Sequence, residues 1–241
     1  MKKYKLPIIL LIVGVLSIVS PRVIQYINGY LQKSEVIQFQ NKIENLSKED
    51  VNVIMEYAEI CNEAVYYGED GFRDPWGDDQ EKLSSFNECL EEHSGKDFAF
   101  DFNFDDDMFG ALEIPKLKLV IPIYLGASQK NLDKGVGQVE GSSLPLGGPS
   151  THTVLSAHRG MWTRAMFRNI DELYDGDIFY IHTLKETITY EVYRQKVIYP
   201  YETESLEIEE NRDLATLLTC HPYGFNYQRL LIQAERKDNK N

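Results

Sequence analysis

The sequence predicts a mainly β fold, a sandwich or closed barrel, preceded by a helical segment and an N-terminal apolar helix. Three observations carry that prediction. About seven short apolar-alternating runs, separated by Gly and Pro, fill the last ~130 residues. One unbroken apolar run, Leu6 to Val19, follows Lys2, Lys3 and Lys5. Between the two lies a stretch with helical periodicity and nearly all of the excess acid.

The N-terminal element has the basic start and apolar stretch of an export signal. Its ~14 residues are short for a span of about 20, but Val23-Ile24-Gln25-Tyr26-Ile27 extends it past Pro21 and Arg22. No clear small-residue cleavage site follows, so it reads as an uncleaved signal-anchor in preference to a cleaved signal peptide. The lysines stay inside and the rest of the chain lies extracellular, giving a single-pass protein of the cell membrane. No later apolar segment is present, which leaves one anchor.

The middle element is helical. Val36 to Leu46 reads as a short amphipathic helix, and Ser47 followed by Asp50 has the form of a capping box opening a second helix to Tyr66. That helix ends before Gly68, Gly71 and the Asp74-Pro75-Trp76-Gly77 break. A further helix is expected over 80–92. A Trp in an acidic loop calls for somewhere to bury its ring. Cys61 and Cys89 flank this loop, apart from Cys220, and an exported chain can join them or leave them free. Phe98, Phe100, Phe102 and Phe104 alternate like an edge strand. Asp101, Asn103 and Asp105 begin a calcium-loop spacing that Asp106 then breaks, where a glycine is required.

The formal charge of -13 is concentrated here. Residues 49–107 hold about 19 Asp and Glu against about 3 Lys and Arg. With no basic face, nucleic acid is excluded as a partner. The chain divides into an anchor (1–27), a helical region with a loop at Asp74-Pro75-Trp76 (28–107) and a β domain (108–241).

The β runs are Ala111–Lys116, Lys118–Leu125, Thr151–Ala157, Asp177–His182, Ile188–Pro200, Leu214–His221 and Tyr227–Glu235. Only Arg164–Leu173 looks helical among them. There is no P-loop, dinucleotide fingerprint or zinc-spaced Cys/His cluster, so no metal and no cofactor is indicated.

Reactive side chains fall at strand ends. Cys220 closes an aliphatic run that Pro222 stops and Tyr223-Gly224 turns. The return strand carries Arg229, which a hairpin brings near Cys220. His158 ends another apolar strand, ahead of Gly160. His221, next to Cys220, should point to the opposite face. Taken singly, such a Cys, His and Arg are ordinary core or strand-end residues. Together they make a candidate thiol acyl-transfer site.

Thr216-Leu217-Leu218-Thr219-Cys220, then Pro222-Tyr223-Gly224 and Arg229-Leu230-Leu231, resembles the cysteine motif of sortases. Glu113-Ile114-Pro115-Lys116-Leu117 resembles their first barrel strand. Lys134-Gly135-Val136-Gly137, running through Glu140-Gly141-Ser142-Ser143-Leu144-Pro145 to His158-Arg159-Gly160, is similar as well. Pro-Tyr-Gly after the cysteine, and Asp74-Pro75-Trp76 as a lid motif, resemble class C, the pilus-assembling sortases. Ala157 before the histidine, Met161-Trp162 after His-Arg-Gly, and His221 after the cysteine depart from the family pattern.

The resemblance implies a sortase β-barrel and a cysteine transpeptidase on the outer face of a Gram-positive-type membrane. Cys220 would cleave an LPXTG-like sorting signal between Thr and Gly and hold the thioacyl group. His158 would protonate the leaving amine, and Arg229 would stabilise the oxyanion or bind the signal. A pilin lysine amine would resolve the thioester, with pilin subunits as partners. The alternative is a cell-wall-anchoring sortase that transfers proteins to peptidoglycan precursor. An L,D-transpeptidase fits less well, since Arg229 is nine residues past the cysteine. A non-enzymatic surface scaffold should itself carry a sorting signal, and none is present. Asp74 and Trp76 would act as a lid, Asp74 pairing with Arg229 while Trp76 covers Cys220. Unperturbed pKa values near 8.5 and 6.5 make the thiolate–imidazolium form only about 1% of the Cys220/His158 pair.

Overall fold

The computed structural model describes residues 5–67, 72, 74–77, 89 and 108–237. The first element is a single helix, α1 (Lys5–Glu44), which carries the apolar run and the amphipathic segment on one axis. The two expected pieces are continuous: the chain passes through Pro21 as helix and on to Glu44. Pro21 has no N–H to donate to the Ser17 carbonyl four residues back, so the helix continues there with one ladder bond fewer. Ser17 donates its own hydroxyl back to the Val13 carbonyl at 2.8 Å. Within α1 an 18-residue window reaches a mean hydropathy of 2.3, and the helix is long and apolar enough to cross a membrane.

The second helix, α2 (Lys48–Tyr67), starts where the capping signature places it. Asp50 donates its backbone N–H to Ser47 Oγ at 3.0 Å. The expected helix over 80–92 lies outside the described residues apart from Cys89, which is helical. The phenylalanine strand and the calcium-like spacing lie outside them too.

Eight strands follow: β1 (Gly110–Ile114), β2 (Leu119–Tyr124), β3 (Val136–Gln138), β4 (Thr151–Ser156), β5 (Ile178–His182), β6 (Thr187–Ile198), β7 (Asp213–His221) and β8 (Gln228–Arg236). They close a barrel in the order β1-β2-β3-β4-β7-β8-β6-β5. Closure removes the free edges that an open sheet would expose. All seven expected runs form strands, within a few residues at each end. The structure adds β3, three residues long, and a one-and-a-half-turn helix, α3 (Gln129–Lys134), before it.

The helix expected over 164–173 does not form. Only Ile170–Glu172 makes a 3-10 turn, and Met166 sits at φ 46°. The periodic apolar residues there, Met166, Phe167, Ile170 and Leu173, fill the barrel interior from a folded loop. Their spacing therefore reflects burial rather than helix.

The barrel interior is aliphatic and aromatic, with Leu112, Ile121, Leu155, Phe179, Tyr190, Leu217 and Ile232 among its members. A second cluster lies outside the barrel. There Val36 and Phe39 of α1 and Ile54, Met55, Ala58 and Cys61 of α2 pack on Phe109, Ala111, Tyr124 and Leu144. Asn62 seals it, accepting the Leu144 backbone N–H at 2.7 Å. A third cluster covers the β4/β7/β8 face through Val154, Leu218 and Leu231, with Phe72 and Trp76 packed against it. Cys61 is joined to Cys89 by a disulfide. The loop carrying Trp76 therefore lies within a covalent ring.

Candidate active site

Strand register builds the site. β7 and β8 form an antiparallel hairpin in which Cys220 stands directly opposite Arg229. Opposed residues share a face, so the thiol and the guanidinium are cross-strand neighbours. They occupy the outward side, the parity of Leu218 and Leu231, under the cluster that Trp76 joins. β4 runs parallel to β7, with Ser156 opposite Leu218. The ladder continues one step as Ala157 N–H donates to the Leu218 carbonyl at 3.2 Å. Thr219 Oγ1 then donates to the Ala157 carbonyl at 2.7 Å. His158 thus leaves the end of β4 beside the strand end that carries Cys220.

Gly160 explains the turn after His158. Its φ is +120°, and a Cβ there would lie 2.7 Å from Arg168 Nε. Only glycine takes that path without moving Arg168.

Arg229 is buried and almost fully committed. Nε and Nη2 donate to the two carboxylate oxygens of Asp74, each at 2.7 Å. Nη1 donates to the carbonyls of Asn226 and Gln228, both at 2.9 Å. The Trp76 ring lies 5.1 Å from the guanidinium carbon, a cation–π distance. Asp74 is presented by a tight turn closed by the Gly77 N–H on the Asp74 carbonyl at 3.1 Å. Asp-Pro-Trp-Gly is the residue order such a turn favours, with Asp first, Pro second and Gly fourth.

Burial pushes the Cys220 thiol up to about 11; Asp74 adds to the rise, while Arg229 and Arg159 oppose it. The thiol is 7% exposed. In this closed arrangement the Cys220 thiol is neutral at pH 7, and the guanidinium has no free fork left for another acceptor. The closed state is not without cost. Trp76 Nε1 is buried with no hydrogen-bond partner among the described residues.

His158 has two neighbours that the sequence did not flag, both from α3. Gln129 Nε2 lies 3.2 Å from His158 Nε2, and Asp133 Oδ1 lies 3.5 Å from it. Gln129 also donates to Asp133 at 2.7 Å. The Ser128 cap signals the start of this helix, accepting the Asn131 N–H at 3.3 Å, but six residues are too few for a periodic pattern.

Arg159 is the other residue missed. It donates to the Cys220 carbonyl at 3.4 Å, sits 3.0 Å from Asp171 and lies 3.2 Å from His221 Nδ1. Those contacts fix the backbone that carries the thiol. His221 points away from Cys220 by strand alternation. Its pKa is lowered by burial, with Arg159 adding to the fall and Asp171 opposing it.

Of the residues singled out in the sequence, Cys220, Arg229, Asp74 and Trp76 meet around one guanidinium, and His158 stands at the adjoining strand end.

Comparison with known proteins agrees with this architecture. The family model described as Sortase domain matches residues 112–237. Sortase D of Bacillus subtilis is 31% identical over 116 residues, 48% of this chain and 56% of that protein. Sortase A of Bacillus anthracis is 24% identical over 128 residues, 53% of this chain and 59% of that protein. The chain thus spans less than two thirds of these curated relatives. Solved structures extend the likeness beyond the barrel. Sortase C1 of Streptococcus agalactiae superposes with a TM-score of 0.73 at 33% identity, covering 86% of this chain and 95% of that one. Sortase C of Clostridium perfringens SM101 gives 0.68 at 36% identity, covering 85% and 99%. A similar protein is described as sortase C1 of GBS pilus island 1, at TM-score 0.73 and 32% identity, covering 86% and 92%.

Proposed function

The chain belongs to the sortase family, and from that premise we propose that it is a membrane-anchored, pilin-polymerising cysteine transpeptidase of class C. The observation that carries this reading is the Cys220–Arg229 register closed by Asp74 and Trp76.

Each residue has a physical part. Cys220 Sγ attacks the carbonyl of the threonine in an LPXTG-like signal, forming a thioester to Thr and releasing the Gly amine. His158 delivers the proton that the amine needs to leave. Arg229 donates N–H groups to the developing oxyanion or to the signal's backbone. A lysine amine of the next pilin then attacks the thioester while His158 takes its proton, and an isopeptide forms with free Cys220. Asp74 occupies the guanidinium fork that the substrate needs, so the lid and the sorting signal exclude one another. Asp133 and Gln129 are placed to orient the His158 ring. α1 would hold the enzyme in the membrane, with the barrel on the outer side.

The test is intact-mass spectrometry of the protein mixed with an LPXTG-type peptide, alongside Cys220→Ala and Asp74→Ala/Trp76→Ala. A Cys220-dependent adduct with cleavage after Thr is expected, larger in the lid variant. No adduct in any form would sink the reading. Supplying a pilin with its acceptor lysine, against a peptidoglycan-precursor amine, separates polymerisation from wall anchoring.

A further inference from the structure

The barrel is fastened to α1 at a particular height. Gln25 Nε2 donates to the Trp162 carbonyl at 3.1 Å, and Asn28 Nδ2 donates to the Thr163 carbonyl at 2.8 Å. Arg168 completes the joint, donating to Gln25 Oε1 at 3.2 Å and to the Met161 carbonyl at 2.9 Å. The loop that follows His158-Arg159 is therefore clamped to one turn of the helix.

That turn lies where the apolar part of α1 ends. A bilayer core of about 30 Å takes about 20 helical residues. Counted from Leu6, the twentieth residue is Gln25. Counted instead from the end of the unbroken run at Val19, Gln25 is about 9 Å further along the axis. The two measures bracket the clamp between the edge of the hydrocarbon core and the outer side of a headgroup layer ~5–8 Å thick, at the surface of any bilayer that α1 enters. Trp162, held there by its own carbonyl, is 66% exposed. Tyr26 and Tyr30 on the same stretch of α1 are 80% and 71% exposed. Exposed aromatics at one level are the composition of an interfacial belt. A large indole left mostly exposed, beside a membrane-length helix, suits a partner with both apolar and polar character.

We propose that the Gly160–Thr163 loop is a membrane foot: Trp162 sits in the headgroup layer of the bilayer that α1 enters. The foot begins two residues after His158, so the active-site end of the barrel is held close to the lipid. The partner of this surface is the lipid interface, and the acyl donor would be met near the membrane. The inference rests on the anchor reading of α1.

The chain contains two tryptophans, so Trp76→Phe leaves Trp162 as the sole tryptophan, excited selectively at wavelengths that tyrosine does not absorb. We would reconstitute the full chain with that substitution into phosphatidylcholine vesicles whose acyl chains are brominated close to the headgroup, or near the bilayer centre. Flotation and resistance to alkaline wash report α1 insertion independently. The expected result is flotation, blue-shifted emission, and strong quenching by shallow bromines with little by deep ones. A chain that floats while Trp162 keeps its full, water-like emission with both lipids overturns the foot. A chain that fails to float overturns the anchor reading, and the foot with it.

Discussion

At the scale of single residues, the closed site is a balance among Asp74, Arg229, Trp76 and Cys220. The bidentate Asp74–Arg229 pair is buried, with side chains 13% and 6% exposed. Removing one partner of a buried pair costs about 3–5 kcal/mol when the other charge stays buried. The unpartnered Trp76 N–H already costs about 1–3 kcal/mol. In Asp74→Ala the cheaper outcome is for the turn to lift and let water reach Arg229. Iodoacetamide should then alkylate Cys220 faster than in wild type, and the midpoint of the rate–pH curve should fall below about 11. Equal rates and midpoints would remove the gate. Linkage gives the same group a second signature. The thiol's pKa is raised from 9.0 to about 11 in the fold, so its contribution is present below pH 9 and is lost as pH rises towards 11. Wild type should lose up to about 3 kcal/mol of stability across that window, and Asp74→Ala should lose less, as followed by denaturant melts at fixed pH. Arg229→Lys tests the fork. A lysine keeps the charge but not the planar donors. Acylation should drop by about 10²–10³, a loss that single-turnover mass measurements would show.

At the scale of elements, the sequence was most informative where chemistry and period coincide. Leu214–Cys220 is a short, largely aliphatic run of strand length, Pro222 and Gly224 turn it, and Arg229 sits where an antiparallel return places it opposite Cys220. β3 and α3 were not legible. Three residues of strand and six of helix are shorter than either period needs, and they are defined by what they pack on. Residues 164–173 misled for the opposite reason, since an apolar loop that plugs a barrel copies helical spacing. The pairing of Cys61 with Cys89 was one open possibility in the sequence. The structure decides it by packing Cys61 into the α1/α2 cluster and setting Cys89 against the same cluster. The bridge closes a ring with a sequence separation of 28 and the Asp74–Gly77 turn near its middle. A ring of that length restricts the unfolded chain by about 3.6 kcal/mol, and it would also limit how far the Asp74–Gly77 turn can move if it lifts. Cys61→Ser/Cys89→Ser should therefore lower the melting temperature and speed alkylation of Cys220. A lower melting temperature with unchanged alkylation would confine the disulfide to stability and leave the lid independent of it.

At the scale of the whole molecule, we propose a division into anchor, lid-bearing helical region and catalytic barrel, with α1 doing two jobs along one axis. Its first half is apolar on every side, with Ile8, Leu11 and Leu16 each more than half exposed. Its second half carries a narrow stripe, Gln32, Val36 and Phe39, buried against the barrel and α2. Gln32 ends that stripe with a donor to the Lys134 carbonyl at 3.1 Å, at the C-terminal end of α3, whose Asp133 lies beside His158. The helix that would enter the membrane is thus one helix turn of contacts away from the residues around the imidazole. This predicts where the chain can be cut. Residues 28–241 keep Gln32, Val36 and Phe39 and should yield a soluble protein with a cooperative melt and the acylation rate of the full chain. Residues 48–241 lose all three. Losing Phe39 alone removes a side chain only 9% exposed, a change worth about 3–5 kcal/mol for Phe→Ala. The uncovered Met55, Ala58 and Tyr124 face should bind a hydrophobic dye, the melting temperature should fall, and His158-dependent acylation should slow as α3 loosens. A shorter protein as stable and as active as the longer one would mean that α1 is only a tether, and that the barrel needs nothing from it.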